Sequence, residues 1–393
     1  MKKIILFALC LLGVQMAKAQ NDRVITTGVP FLLIAADARA AGMGDMGVAT
    51  SADVFSQQWN PAKYAFATDA YGISASYTPY LTDIANDISL GQLTFYNRFQ
   101  ERMAFAASLR YFGLGDIELR ETGNPDEVPV TRNPNELAVD LSYALQLSET
   151  FSMAVAGRYI RSNLRIPEAS GGGDSKPASS FAFDVAAFYQ SEEVAFEDFN
   201  GRWRGGVNLQ NLGPKISYDN DEALSSNFLP ANLRLGAGFD FIFDEYNKIA
   251  LTGEFTKLLV PTPQDPDLDG DGETTTDEYI QANRDYQNIN WVSGVFKSFG
   301  DAPDGFREEL QEVTYAIGAE YMYQDAFAFR LGYFNENANK GARKFFALGA
   351  GFRYTVIKVD LSYLFSASQV RNPLENTLRF SLTFNFGDKY DEY

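Results

Sequence analysis

From Tyr71 to Phe386 the chain is a succession of short segments in which every second residue is apolar. In LAVDLSYALQL, Leu137, Val139, Leu141, Tyr143, Leu145 and Leu147 share one face of an extended strand, while Ala138, Asp140, Ser142, Ala144 and Gln146 share the other. The alternation returns in Met103, Phe105, Ala107, Leu109 and Tyr111, in Leu233, Leu235, Ala237, Phe239, Phe241 and Phe243, and in Ile357, Val359, Leu361, Tyr363 and Phe365. The last such run, LRFSLTFNF, puts Leu378, Phe380, Leu382, Phe384 and Phe386 on one face and suits a closing strand. A strand of about ten residues crosses the hydrocarbon of a bilayer at a tilt, and a strand with one apolar face suits a wall between lipid and a polar lumen. The pattern predicts an all-β transmembrane outer-membrane β-barrel over residues 71–386, crossing the membrane many times.

Further strand candidates begin near residues 71, 88, 151, 179, 203, 247, 289, 312, 326 and 345, which, with the closing run near 377, brings the total to fifteen. A bacterial single-chain barrel closes with an even number. One segment is therefore misassigned, in the crowded region after residue 287, and 14 antiparallel strands are expected rather than 16. Residues 99–101, 148–150 and 244–246 are tight connections, whereas 113–136, 162–178, 213–231 and 259–288 are long and rich in Gly, Pro, Asn and Asp. If the first strand rises from the periplasm, the long ones are extracellular; this order holds through the first ten candidates.

The start of the chain, MKKIILFALCLLGVQMAKAQ, has the basic, apolar and small-residue parts of an export signal over residues 1–19, with cleavage expected after Ala19. Cys10, the only cysteine, lies in its apolar core, so the mature chain holds no disulfide. The formal charge is -18, and it becomes more negative as Lys2, Lys3 and Lys18 leave with the leader, which argues against a nucleic-acid partner. Phe and Tyr dominate an aromatic content of 14%, as interfacial belts require. With no histidine anywhere, His-based triads and His-ligated metal sites are excluded.

Within the strands, Asp140, Arg158, Asp184, Arg204, Arg234, Asp240, Glu254, Glu320, Arg330, Arg353, Asp360 and Arg379 fall on the lumen side. Opposite charges there pair across strands and close the interior; the other reading is a polar track for a transported molecule.

Residues 20–70 lack strand alternation and read as a plug, or hatch, in the barrel mouth. Ala35, Ala36, Ala38, Ala40 and Ala41, with Gly42, Gly44 and Gly47, let backbone pass close to backbone. Trp59 followed by Asn60 and Pro61 reads as an anchored turn that hands the chain to the first strand. The tail GDKYDEY, residues 387–393, is polar and is expected to extend beyond the wall.

The stretch Ala41-Gly42-Met43-Gly44, followed by Trp59-Asn60-Pro61-Ala62, resembles the N-terminal hatch of the FadL-like long-chain fatty acid transporter superfamily. Within it the chain is similar to the PorV (LptO) family, outer-membrane components of the Bacteroidetes type IX secretion system. The likeness covers essentially the whole mature chain, Asn211-Leu212-Gly213-Pro214 included. It implies a 14-stranded barrel that associates with the giant translocon barrel SprA (Sov) and receives cargo proteins through their C-terminal domains. It also implies shuttling of cargo to a cell-surface attachment complex, in contact with outer-membrane lipid. No catalytic residue carries over, and the chain is expected not to be an enzyme; a lipid-deacylating role finds no nucleophile-base pair. The alternative is passive uptake of lipophilic or small solutes through a hatch-gated lumen.

In the connection 259–288, DLDGDGETTTDE fits the D-x-[DN]-x-[DN]-G-x5-E calcium-loop pattern. Asp267, Asp269 and Asp271 would supply carboxylates, Gly272 the sharp turn, Glu273 its carbonyl, Thr275 a direct or water-mediated ligand, and Glu278 two closing oxygens. Hard oxygen donors at this spacing suit a structural Ca²⁺. DEYIQANRDY reads as an exiting helix, whereas Val260-Pro261-Thr262-Pro263 does not read as an entering one.

Overall fold

In the computed structural model, residues 23–82, 85–120, 128–164, 176–218, 226–269, 271, 274–368 and 372–390 are described. The expected export signal lies outside them. Fourteen long strands form the wall: β1 (Asp69–Pro79), β2 (Ile88–Gln100), β3 (Met103–Leu114), β4 (Asn135–Gln146), β5 (Phe151–Asn163), β6 (Ala178–Gln190) and β7 (Asn200–Leu212), then β8 (Asn232–Ile242), β9 (Asn247–Leu258), β10 (Val313–Tyr323), β11 (Phe327–Asn335), β12 (Lys344–Tyr354), β13 (Ile357–Ser366) and β14 (Leu378–Lys389). Each pairs antiparallel with the next in sequence, and β14 pairs with β1, from Tyr71↔Phe386 to Tyr77↔Phe380, so the sheet closes on itself. Closure leaves no edge strand, which is what a sheet at membrane depth requires.

The wall is inside out relative to a water-soluble barrel. On β4, Asp140 is 0% exposed and its neighbour Leu141 is 65% exposed. The same inversion runs through β3, where Phe105, Leu109 and Tyr111 face outward and Ser108 and Arg110 face inward. An outward apolar face is stable only against lipid. At the short-turn end, Trp203 packs on Phe239 with ring centroids 4.5 Å apart, and Phe199 meets Phe239, Phe241 and Phe243, forming part of an interfacial aromatic belt.

Two sequence expectations need correction. The strand proposed near residue 289 is a helix: Asn290 caps it, its side chain accepting from Val292 N, and Trp291–Lys297 follow. The apolar positions Val292 and Phe296 are four apart, a helical spacing that short runs can mimic. The closing strand continues to Lys389 instead of ending at Phe386, with Gly387 at φ +91 bending it, so the tail is shorter than expected. Tyr390 then donates its backbone N–H to Thr68 O; residues 391–393 lie outside the described residues.

Removing the strand at 289 restores the order of connections around the whole ring. Residues 101–102, 147–150, 191–199, 243–246, 324–326 and 355–356 join strands at one end, and the longer 115–134, 213–231, 259–312 and 367–377 join them at the other. Short turns face the periplasm in outer-membrane barrels, and long loops face out. After two short helices near the start of the chain, α1 (Ala38–Gly42) and α2 (Ser56–Trp59), the longest loop carries three more, α3 (Thr276–Asn288), α4 (Trp291–Lys297) and α5 (Phe306–Gln311).

Candidate functional site

Residues 28–67 lie inside the ring of strands, most of them fully buried. The segment starts at the long-loop end, where Gly28 donates to Phe228 O, and leaves at the short-turn end, where Arg98 donates to Ala67 O. Its polar backbone atoms meet inward side chains from around the barrel. Arg110 of β3 donates to Leu32 O, Ser381 of β14 accepts from Ala38 N, Glu254 of β9 accepts from Gly47 N and Val48 N, and Ser152 of β5 donates to Ala62 O. Each buried backbone group matched in this way avoids a desolvation penalty of about 1–3 kcal/mol.

The two motifs of the segment each have a steric reason. Gly44 has φ +87, and a Cβ there would come within 3.1 Å of the Tyr333 backbone on β11. At Gly42 a Cβ would meet the Gly349 Cα on β12 at 2.9 Å, so two glycines let the short helix Ala38–Gly42 rest directly on the wall. Trp59 is 2% exposed; its indole N–H donates to Asp37 Oδ2 at 2.8 Å, and the Arg234 guanidinium lies 4.9 Å from its ring centroid. Asn60 accepts from Ala62 N with Oδ1, capping the 3₁₀ turn that Pro61 opens, and donates through Nδ2 to Val48 O and to Ala187 O of β6. It thus ties the segment both to itself and to the wall.

All twelve lumen-side charges named from the sequence point inward and are paired. Arg158 bridges Asp140 and Asp184 (3.0 Å), Arg234 meets Glu254 at 2.8 Å, and Arg204 meets Asp240 at 2.5 Å. Arg330 sits between Glu320 (2.5 Å) and Asp360 (2.8 Å), Arg379 pairs with Asp45 at 2.9 Å, and Arg353 lies 3.4 Å from Asp69. Two partners, Asp45 and the Arg39 that also meets Glu320, belong to the inner segment, which the alternation of the strands alone does not reveal. At the short-turn end a cavity of about 960 Å³ is lined by Arg39, Asp53, Glu320, Arg353 and Lys358 among others.

At the other end, the longest loop is fastened by a buried ionic cluster. Glu308 of α5 meets Lys340 (2.7 Å) and Arg23 (3.1 Å), Glu309 meets Lys257 (2.9 Å), and Glu312 meets both Lys257 (2.7 Å) and Lys340 (3.1 Å). The loop, the start of the inner segment and the β11–β12 connection are therefore joined. Sequence reasoning missed this; its signal was the helical spacing of acidic residues in FREELQE. Nearby, burial pushes the Asp301 carboxyl up to about 6, with Glu309 and Glu312 adding to the effect.

Of the proposed calcium ligands, Asp267, Asp269 and Asp271 come together, with one carboxylate oxygen from each within 4.8 Å of the others. Glu273 lies outside the described residues. Thr275 caps α3 and forms a capping box with Glu278. Glu278 turns back over the loop: Oε1 accepts from Leu268 N and Asp269 N, and Oε2 from Thr275 N and Oγ1. These hydrogen bonds hold its carboxyl below the usual range, the Thr275 backbone N–H first among them.

With its closed, inverted wall and its filled lumen, the molecule is a multi-pass outer-membrane β-barrel. Residues 17–265 match the family of type IX secretion system protein PorV, and the chain belongs to that family, a component of type IX secretion. Among solved structures, a monoaromatic hydrocarbon channel, a TodX mutant lacking S2 and S3, is similar at TM-score 0.52 and 12% identity, covering 89% of this chain and 98% of that one. The Ralstonia pickettii toluene transporter TbuX is similar at TM-score 0.48 and 13% identity, over 91% of this chain and 100% of that one. A Pseudomonas aeruginosa FadL homologue is similar at TM-score 0.45 and 12% identity, over 90% and 99%. No curated protein matches the sequence.

Proposed function

We propose that this barrel is a non-enzymatic binding protein of the type IX system, whose external face engages the translocon barrel SprA (Sov) and receives cargo proteins through their C-terminal signal domains. The observation that carries the reading is the construction of the 259–312 loop: three helices, fastened by buried ion pairs to Lys257, Lys340 and Arg23. A loop ordered before it meets a partner loses less entropy on binding. Handing cargo on to the cell-surface attachment complex follows from the same face. The test is to replace residues 264–300 by a short Gly-Ser linker and to follow export of proteins with C-terminal signal domains. Export should fail while the barrel still inserts; normal export would reject the loop as the working surface.

The loop is also proposed to hold a structural Ca²⁺ through Asp267, Asp269, Asp271 and Glu278, with Glu273 and Thr275 completing the sphere. The support is the convergence of the three aspartates and the placement of Glu278 against the Leu268 and Asp269 amides. Calcium titration of the purified barrel by calorimetry tests it directly.

A second reading, passive transport with the inner segment as a movable hatch, is supported by the FadL-type fold and by a segment that fills the lumen without being part of the wall. It requires solute flux that rises when Gly42, Gly44 or Asn60 is replaced; unchanged flux would reject it.

A further inference from the structure

Two helices of the longest loop turn apolar side chains outward, and one of them, α5, turns its carboxylates inward. On α4, Val292 and Phe296 are one turn apart and exposed, Phe296 at 74%, and Phe299 follows just beyond its end at 53%. Gly294, on the opposite side, lies against Phe228 and Pro261, where a Cβ would come within 2.9 Å of the Phe228 ring. On α5, Phe306 (77% exposed) and Leu310 (57%) are also one turn apart, whereas Glu308 and Glu309 between them are buried in the ionic cluster. A loop surrounded by water folds the other way round. In this molecule the same inversion marks the lipid-facing wall.

Two relationships set this face beside that wall. Trp291, the first residue of α4, meets the outward ring of Phe183 on β6 edge-on, with centroids 6.4 Å apart. Leu310 stands three residues before Val313, where β10 begins and leads to the outward, exposed Tyr315 and Ile317. The apolar face is therefore continuous with the lipid-facing band at its external rim. Exposed Lys297 and Arg307 accompany it, the residues expected to reach anionic headgroups from an interfacial helix.

We infer that α4 and α5 lie in the interface of the outer leaflet, with Val292, Phe296, Phe299, Phe306 and Leu310 among the acyl chains, so that lipid as well as the ionic cluster holds the loop. An exposed apolar surface of this kind needs an occupant, and continuity with the wall selects lipid over a protein partner.

The test uses the mature barrel in phosphatidylcholine–phosphatidylglycerol vesicles. Because Cys10 is the only cysteine and lies in the leader, single variants Phe296→Cys and Phe306→Cys accept a nitroxide label cleanly. Phe255→Cys, on the outer wall, and Tyr279→Cys, on the distal α3, serve as lipid and water references. Labels at 296 and 306 should favour collision with oxygen over a nickel chelate, as at 255. Behaviour matching 279 would overturn the inference, as would shielding from both reagents that develops only when another outer-membrane protein is added. A variant with the loop untouched gives an independent reading. Trp203→Phe leaves Trp59, buried in the lumen, and Trp291, so quenching by shallow brominated lipids reports Trp291; it is expected, and its absence would overturn the assignment.

Discussion

Arg39, in the middle of the inner segment, grips Glu320 of β10 with two parallel hydrogen bonds, Nε to Oε2 at 3.1 Å and Nη2 to Oε1 at 2.8 Å. The same guanidinium holds Asp53 at 2.7 Å, and Arg330 approaches Glu320 from the wall. One planar fork thus sets the height of the segment in the lumen and ties its two halves together.

Arg39→Ala should weaken the seating of the inner segment by about 3 kcal/mol, because Glu320 and Asp53 stay buried with less compensation. The β10 ladder is untouched, so the wall should persist. Limited proteolysis in detergent should cleave within residues 40–60 in this variant and not in the parent. Arg39→Ala combined with Glu320→Ala should be less than the sum of the two single losses; additive losses would show that the pair does not act as a unit.

Gly44→Ala should cost about 1–3 kcal/mol through overpacking on Tyr333 and an unfavourable positive φ. Its effect should fall on the inner segment, so Trp59 fluorescence should change at a lower denaturant concentration while the heat-modifiable gel shift of the barrel stays in place.

Asp301 gives the external loop a pH dependence whose sign is fixed. Its folded pKa is raised from 3.8 to about 6 by burial and by Glu309 and Glu312. The contribution to stability is therefore full below the unfolded value and is lost as pH rises through about 6. Protection factors of amides 302–311, corrected for the intrinsic pH dependence of exchange, should be higher at pH 5 than at pH 7, and Asp301→Asn should remove the difference. Lower protection at pH 5 would contradict the assignment.

For calcium, Asp267→Asn and Glu278→Gln should each lower the affinity, and the two together should abolish stoichiometric binding. The variants differ in its absence: Glu278→Gln also weakens the acceptor of the Leu268 and Asp269 amides and should loosen α3, whereas Asp267→Asn should not. Circular dichroism in chelator separates these effects, and unchanged calorimetric binding in the double variant would remove the loop from consideration.

The wall was legible because a membrane strand repeats its apolar pattern every second residue, as Leu137 to Leu147 do, and the outward exposure of Leu141 beside buried Asp140 follows from it. The segment near 289 was misread because Val292 and Phe296 in so short a run fit a helix face as well as a strand. The lumen charges were legible singly, but the pairing of Arg379 with Asp45 was not. That contact joins residues far apart in sequence, and alternation carries no information about the inner partner. The glycines at 42 and 44 were identifiable as points of close approach, although which strands they touch depends on how far the segment descends. The cluster of Glu308, Glu309 and Glu312 was not legible because its basic partners, Arg23, Lys257 and Lys340, lie far from it in sequence.

The role proposed for this barrel is the binding of other proteins of the secretion machinery. Affinity purification of the tagged native barrel from detergent-solubilised outer membranes, with and without a calcium chelator, followed by mass identification of what accompanies it, tests this directly. Recovery of a very large translocon barrel or of secreted proteins sharing a C-terminal domain, reduced by the chelator, is the result expected. A barrel that purifies alone, carrying a lipophilic ligand in its lumen, would contradict the account and favour hatch-gated transport.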